Sequence, residues 1–330
     1  MNTYGRVFRV SLFGESHGAA IGAVIDGCPP GIDIIPDDFL NDLDRRRSGR
    51  PGTTPRKEAD LPEILSGVYN GKTTGAPITI VSRNVNVDSS SYENNRVVPR
   101  PGHADFTSVY KYSGFTDLRG GGHFSGRITW GLVAAGVIAK KILSPSLVSA
   151  VLIEAGGSPD IEKAVNEAIA AGDSIGGLIE CRVKDPAKGL GEPFFNSAES
   201  AISQIVFSVP AIKGVEFGSG FRAPQMKGSE HNDPFGDATG KTLTNNAGGI
   251  NGGITNGNEL ILRVAVKPTS SIGREQKTFH FEKREMTTLN VAGRHDTCIA
   301  LRIPVIIEAA VAVALADLTL VDRGINGIRI

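Results

Sequence analysis

Arg6-Val7-Phe8-Arg9-Val10-Ser11-Leu12-Phe13-Gly14-Glu15-Ser16-His17-Gly18 opens with apolar and polar residues in alternation and ends in a glycine-bracketed turn. Alternation at every second residue marks a half-buried strand, so the Ser-His pair sits where that strand ends. What comes next decides between two folds. Gly14-x-Ser16-x-Gly18 satisfies the nucleophile-elbow pattern of serine hydrolases, and that pattern requires a helix after the turn. Ala19-Ala20-Ile21-Gly22-Ala23-Val24-Ile25-Asp26-Gly27 is instead interrupted by glycine and rich in β-branched residues, and reads as a second strand. The elbow is set aside. His17 remains a group able to change charge near neutral pH, in a turn whose glycines let a ligand approach, with a solvated structural turn as the alternative.

The 330 residues include 35 basic and 35 acidic side chains, so no overall field favours nucleic acid or an anionic membrane, and anion binding has to be local. Cys28, Cys181 and Cys298 are odd in number, far apart and without zinc spacing, which suits a reducing compartment. Ile303 to Val321 is the most apolar segment, but Glu308 and Asp317 interrupt it, so it reads as a buried helix. With no leader-like N-terminus, the expectation is a soluble cytoplasmic protein.

Asp37 to Arg47 begins acidic and ends in Arg45-Arg46-Arg47, complementing a helix dipole and delivering three arginines to one end. Compensation of the dipole explains one or two of them; a ligand would explain the rest. Pro77 to Val81 is a short strand, and the polar, Asn-rich Ser82 to Val98 reads as a surface loop running into Arg100-Pro101-Gly102-His103-Ala104-Asp105. Proline and glycine there hold His103, with Asp105 two positions on, as a second acid-base candidate. Arg119-Gly120-Gly121-Gly122-His123-Phe124-Ser125-Gly126-Arg127 precedes an apolar helix over 128–143, a way of presenting N–H groups to a phosphate or a flavin edge, although Ser125 stands where a dinucleotide fingerprint needs glycine. Helices capped by Asp160 and Ser197 and strands over 178–183 and 259–266 read as scaffold. Asn245-Asn246-Ala247-Gly248-Gly249-Ile250-Asn251-Gly252-Gly253-Ile254 suits a tight turn against a planar ligand, and Lys267-Pro268-Thr269-Ser270-Ser271 puts a cation and hydroxyls at a strand end. Gly293-Arg294-His295-Asp296 follows.

In this order, from Gly5 to Glu308, these blocks resemble the chorismate synthase family. The resemblance implies an α+β fold, one large domain over residues 1–330 with helices sandwiched between antiparallel sheets, assembled as a homotetramer. It implies anti elimination of phosphate and a ring hydrogen from 5-enolpyruvylshikimate 3-phosphate, with reduced FMN as cofactor. Arg46, Arg100, Arg127 and Arg294 would hold the phosphate and carboxylates, with Arg45 and Arg47 beside them. His17 would protonate the reduced flavin, His103 would support charge on flavin or leaving phosphate, and Asp296 matches an aspartate near the flavin N5. Flavin contacts would fall on Ser16, Ser125, Asn245, Asn246, Gly252, Lys267, Pro268, Thr269, Ser270, Ser271 and Arg294, and at the turn on His123 and Phe124, where many members carry Arg-Ser. The loop after Arg50 is one residue shorter than the family's pattern, which obscures any nicotinamide-binding arginine known from bifunctional relatives. Two rival readings are a metal hydrolase using His17, His103, Asp105, His295 and Asp296, and a flavin-binding protein without catalysis.

Overall fold

The computed structural model describes residues 2–54, 59–85, 96–291 and 295–326. Strands β1 (Thr3–Tyr4), β2 (Arg9–Gly14), β3 (Ala20–Asp26), β4 (Glu63–Ser66) and β5 (Ile78–Arg83) form one antiparallel sheet in the order β1-β2-β3-β5-β4. Phe13 faces Gly22 and Gly14 faces Ile21, so the Ser-His turn is the connection of an antiparallel pair, as the β-branched run after it predicts. Strands β6 (Leu147–Ala155), β7 (Gly177–Lys184), β8 (Ile212–Phe217) and β9 (Leu260–Val266) form a second antiparallel sheet, ordered β8-β9-β7-β6. A separate hairpin joins β10 (Gln276–His280) to β11 (Glu285–Leu289).

The longer helices are α1 (Leu40–Arg46), α2 (Asp105–Lys111), α3 (Thr129–Leu143), α4 (Ile161–Ala171), α5 (Ala198–Ser208) and α6 (Pro304–Asn326). Two of them fill the space between the sheets. α3 packs on β3, α6 packs on β6 and β7, and the two helices pack on each other. Their approach is close because Gly136 of α3 has no side chain: a Cβ there would lie 2.3 Å from the Cβ of Ala309 in α6. α6 is long and apolar enough to cross a membrane, but 83% of its apolar window is buried within the protein, so it is the core helix the interrupting Glu308 and Asp317 predict.

Those two acids have specific partners. Asp317 Oδ1 accepts three successive backbone N–H groups, from Arg6, Val7 and Phe8, at 2.7–2.9 Å, and so pins the start of β2 to α6. Glu308 accepts from both Arg45 Nη atoms, from Lys140 Nζ and from the amide of Ala150.

The arginine-bearing segment differs in detail from its reading. It starts as a 3-10 turn over Pro36–Phe39, continues as α1, and stops with Arg47 extended at ψ 152°. Asp160 and Ser197 do cap α4 and α5, each accepting the N–H three residues on at 3.1 Å. The sequence reading took the RPGHAD block for loop throughout, whereas Asp105 opens α2. Strands β6 and β8 and the β10–β11 hairpin also escaped it.

Candidate active site

The loops at one end of the sandwich are tied to one another by hydrogen bonds. Ser16 N donates to Gly122 O at 3.0 Å, joining the Ser-His turn to the glycine turn. Asn84, just past β5, donates from Nδ2 to Gly18 O at 2.9 Å, while its Oδ1 accepts from Arg127 Nε at 3.2 Å. Lys267 Nζ and Ser270 Oγ both donate to Gly102 O, and Arg100 Nη1 donates to Ser271 Oγ at 3.0 Å. Five blocks distant in sequence thus share one wall.

That wall encloses two adjoining chambers. The smaller, about 400 Å³, is lined by Arg46, Arg47, Arg100, Arg127 and Arg302, with Asp60 and Asp296 the only carboxylates among the described lining residues. Arg100 also pairs with Asp105 and Arg47 with Asp44, so the five arginines exceed their carboxylate partners by about one charge, and most of the charge facing the chamber is positive in a chain with none overall. The larger chamber, about 880 Å³, has Leu12, Ile128, Leu132, Ile205 and Ile212 on its apolar sides and His103, His123, Lys267 and Ser270 at polar positions. Gly120, Ser125, Thr129, Pro210, Thr269 and Ile299 border both.

Each arginine is held by an acid that leaves it cationic. Arg46 is buried, donates to Asp60 at 2.8 Å, and its guanidinium is pushed down to about 10, mainly by burial. Burial alone would raise Asp60, but the guanidinium groups of Arg46 and Arg127 outweigh it and hold its carboxyl below the usual range. Arg100 grips Asp105 through Nε and Nη2 at 2.7 and 2.8 Å. Arg302, which no sequence motif contained, donates to Arg46 O and to Asp296, and Asp296 also accepts the amide of Thr54. Arg46 Nε and Arg127 Nη2 are buried and find no acceptor among the described residues. Buried N–H groups left this way are costly unless a ligand satisfies them, and planar guanidinium forks suit phosphate and carboxylate oxygens.

The histidines are fixed in defined tautomers or places. His103 Nδ1 lies 2.7 Å from the ionised Asp105, an acceptor, and 3.0 Å from Arg100 Nη2, a donor; with a proton on Nδ1 it donates to Asp105 and leaves Nε2 as the reactive nitrogen. His123 Nδ1 lies 2.7 Å from the carbonyl of Gly14, which can only accept, so Nδ1 carries the proton there too. His17 is buried behind the glycine turn: a Cβ on Gly120, at φ +60°, would meet its Cδ2 and Nε2 at 2.5 Å. Phe124 lies against Tyr112 with ring centroids 6.3 Å apart. Burial, then the neighbouring Lys213, pushes the Lys267 ammonium below its usual value.

Most of the predicted site residues therefore meet here: Ser16, His17, Arg46, Arg100, His103, His123, Phe124, Ser125, Arg127, Lys267, Pro268, Thr269, Ser270, Ser271 and Asp296. Arg45 does not, because Glu308 and Asp42 draw its guanidinium to a different cleft beside Lys140. Asn245 and Asn246 line another cleft with Glu216, Ser219, Arg222 and Arg263, and Gly252 is an exposed turn between two short paired segments. Arg294 lies outside the described residues. Asp60, Asn84 and Arg302 were missed by sequence reasoning; a lone Asp, Asn or Arg outside any motif carries no local signal.

An anion chamber built of guanidinium groups, opening onto an apolar chamber bounded by a glycine turn and oriented histidines, defines an enzyme that handles a small polyanion beside a flat cofactor. The chorismate synthase family profile matches residues 8–320. A chorismate synthase of Chitinophaga pinensis is 60% identical over 327 residues, covering 99% of this chain and 98% of that protein. One from Dehalococcoides mccartyi is 44% identical over 351 residues, covering 97% and 96%. A crystal structure of chorismate synthase superposes with a TM-score of 0.74 at 27% identity, covering 97% of this chain and 94% of that one. The chain belongs to the chorismate synthase family, and its α+β architecture is that family's. Its activity is that of a carbon–oxygen lyase of the shikimate pathway, the FMN-dependent elimination of phosphate from 5-enolpyruvylshikimate 3-phosphate to give chorismate.

The residues present fit a flavin. The larger chamber falls within the ~300–1,000 Å³ usual for small-molecule sites and combines apolar sides with few polar groups. Thr269 Oγ1, on the wall between the chambers, is buried without a hydrogen-bond partner. A ligand edge there would satisfy it.

Proposed function

We propose that the arginine chamber takes the phosphate and carboxylates of 5-enolpyruvylshikimate 3-phosphate and that the larger chamber takes FMN in its reduced form. The observation carrying this reading is the pair of buried, acceptor-less N–H groups on Arg46 and Arg127 beside an apolar chamber of flavin size. Arg46, Arg100 and Arg127 grip substrate oxygens, with Arg47 and Arg302 supplying further charge. Reduced FMN held in the larger chamber would supply transient electron density to the substrate as phosphate leaves. His103, aimed by Asp105, steadies charge on the departing phosphate. His17 holds a proton at the glycine turn, and Asp296 helps to move one. Lys267, Thr269, Ser270 and Ser271 offer a cation and hydroxyls to the flavin's polar groups, and His123, Phe124 and Ser125 line the same chamber. The chain works as one domain in a soluble cytoplasmic homotetramer, as the family resemblance implies, and its charge balance speaks against nucleic-acid or membrane partners. A metal hydrolase is disfavoured, since no cluster of three metal-ligating side chains occurs among the described residues.

Loss of phosphate and one proton changes no overall oxidation state, so no reductant is consumed per turnover. Phosphate release from the substrate, measured anaerobically with photoreduced FMN, oxidised FMN or none, tests this. One reduction is expected to support many turnovers. Equal rates with oxidised FMN, or one equivalent of reductant spent per product, would sink the reading.

A further inference from the structure

Asp60 is a carboxylate, 2% exposed, in the wall of a chamber whose other charged lining residues include five arginines and Asp296. Its two oxygens serve arginines from two different elements: Oδ2 accepts from Arg46, at the end of α1, and Oδ1 accepts from Arg127, just ahead of α3. Its backbone is fixed as well. At φ +52° it adopts a left-handed conformation uncommon for a residue with a Cβ, and its carbonyl accepts from Trp130 Nε1 at 3.3 Å. Strained, over-determined residues of this kind cluster at functional sites. Two buried guanidinium groups this close repel each other, and Arg127 and Arg302 both push the Arg46 guanidinium down while Asp60 pushes it up. One carboxylate thus holds the pair together, yet it leaves Arg46 Nε and Arg127 Nη2 without acceptors.

We propose that Asp60 is a positioning residue for substrate binding: it clamps Arg46 and Arg127 at a fixed separation so that one protein carboxylate and one substrate anion share them. The proposal rests on the arginine chamber being the substrate's anion site. The trio of two cations and one anion keeps a single positive charge for the ligand, and the clamp sets where that charge lies.

Asp60→Asn keeps the side-chain shape and removes the charge, and three roles give three outcomes in steady-state kinetics of the full chain with reduced FMN. A positioning residue predicts KM for the phosphorylated substrate raised about tenfold or more with kcat changed less than about threefold, the pattern of lost uniform binding. A residue that merely stabilises the fold would lower the active fraction, hence kcat, and leave KM unchanged. A residue acting only through its charge would, when neutralised, make the chamber more cationic and lower KM. Inorganic phosphate is the second probe. Small enough to settle between the freed guanidinium groups, it is expected to raise the melting temperature of Asp60→Asn more than that of the wild type. If Asp60→Asn fails to fold, its combination with Arg127→Met, which restores the single surplus charge, is expected to fold and to bind substrate weakly. An unchanged or lowered KM, equal phosphate shifts in the two proteins, or a double variant no better folded than the single one overturns the proposal. Failure of the anion-site reading shows separately, as Arg46→Ala leaving substrate affinity intact.

Discussion

His103 donates from Nδ1 to Oδ1 of Asp105 across 2.7 Å, and the side chain that receives this bond is wholly shielded from solvent. The carboxylate can only accept, so it holds the ring's orientation and favours a proton on Nδ1, while Arg100 Nη2, 3.0 Å from the same nitrogen, completes the contact. In Asp105→Asn the amide can donate as readily as accept, and Arg100 loses its counter-ion at the same time. Turnover is expected to fall by about 10²- to 10⁴-fold, the scale of losing a positioned proton carrier, and His103→Ala should fall in the same range. Steady-state rates beside circular dichroism of the folded protein decide it; near-wild-type turnover would remove the pair from the mechanism.

The same aspartate governs behaviour in acid. Burial alone would raise Asp105, but its bonds from Arg100 and His103 hold it well below the usual carboxylate range, and Asp60 is depressed in the same direction. A depressed folded value means that the native state binds fewer protons than the unfolded chain. The stabilisation is therefore complete above the ordinary carboxylate pKa of about 4 and is lost as pH falls toward the folded values. Urea unfolding at about pH 6 and about pH 3 should show a smaller acid loss for Asp105→Asn than for wild type. Parallel losses would mean that other carboxylates carry the effect.

Arg45 and Arg46 are neighbours in sequence with opposite expected phenotypes. Arg46→Ala should weaken substrate binding by roughly 2 to 5 kcal/mol, the cost of truncating one partner of a buried charge pair. Arg45→Ala should leave substrate affinity unchanged and cost about 1 kcal/mol of stability, because its pair with Glu308 is partly exposed and Lys140 and the Ala150 amide remain on that carboxylate. Calorimetry and thermal melts on the two variants separate the roles. A loss of affinity in Arg45→Ala would return that residue to the site.

Gly120→Ala places a methyl where His17 and Ser16 now sit, 2.5 Å from the ring and 2.7 Å from the hydroxyl, in a backbone conformation that disfavours any side chain. Turnover should drop by about 10²-fold or more while the rest of the fold persists, as for a displaced acid or base. Retained turnover would show that His17 has room to move without consequence.

Much of this was legible in residue order because the information is local. The strand pair around Gly14–Gly18, the caps at Asp160 and Ser197, and the apolar α6 each follow from patterns spanning a few residues. The site was legible as motifs, since glycine turns and paired arginines are unusual enough to stand out. What stayed hidden depends on partners distant in the chain. Asp60 has meaning only when α1 and α3 bring two arginines to it, and Arg45 looks identical to Arg46 until Glu308, 263 residues away, claims it. β6 and β8 do lie between local turn signals, Pro145 and Gly156-Gly157 for the one and Pro210 and Gly218 for the other, but their places in the second sheet are set by pairing with β7 and β9.

The clamp of Asp317 on the amides of Arg6, Val7 and Phe8 spans up to 311 residues of sequence. Contacts of such separation slow folding, because chain entropy is lost before they form. During synthesis, β2 emerges first but lacks the anchor that aligns its start until residue 317 has left the ribosome. The turn bearing Ser16 and His17 hangs from the far end of that strand, so the oldest part of the nascent chain is among the last to be secured. A ribosome-stalled chain ending before α6 is thus expected to hold its first sheet loosely and to expose the apolar face of α3, a client surface for chaperones rather than a half-built enzyme.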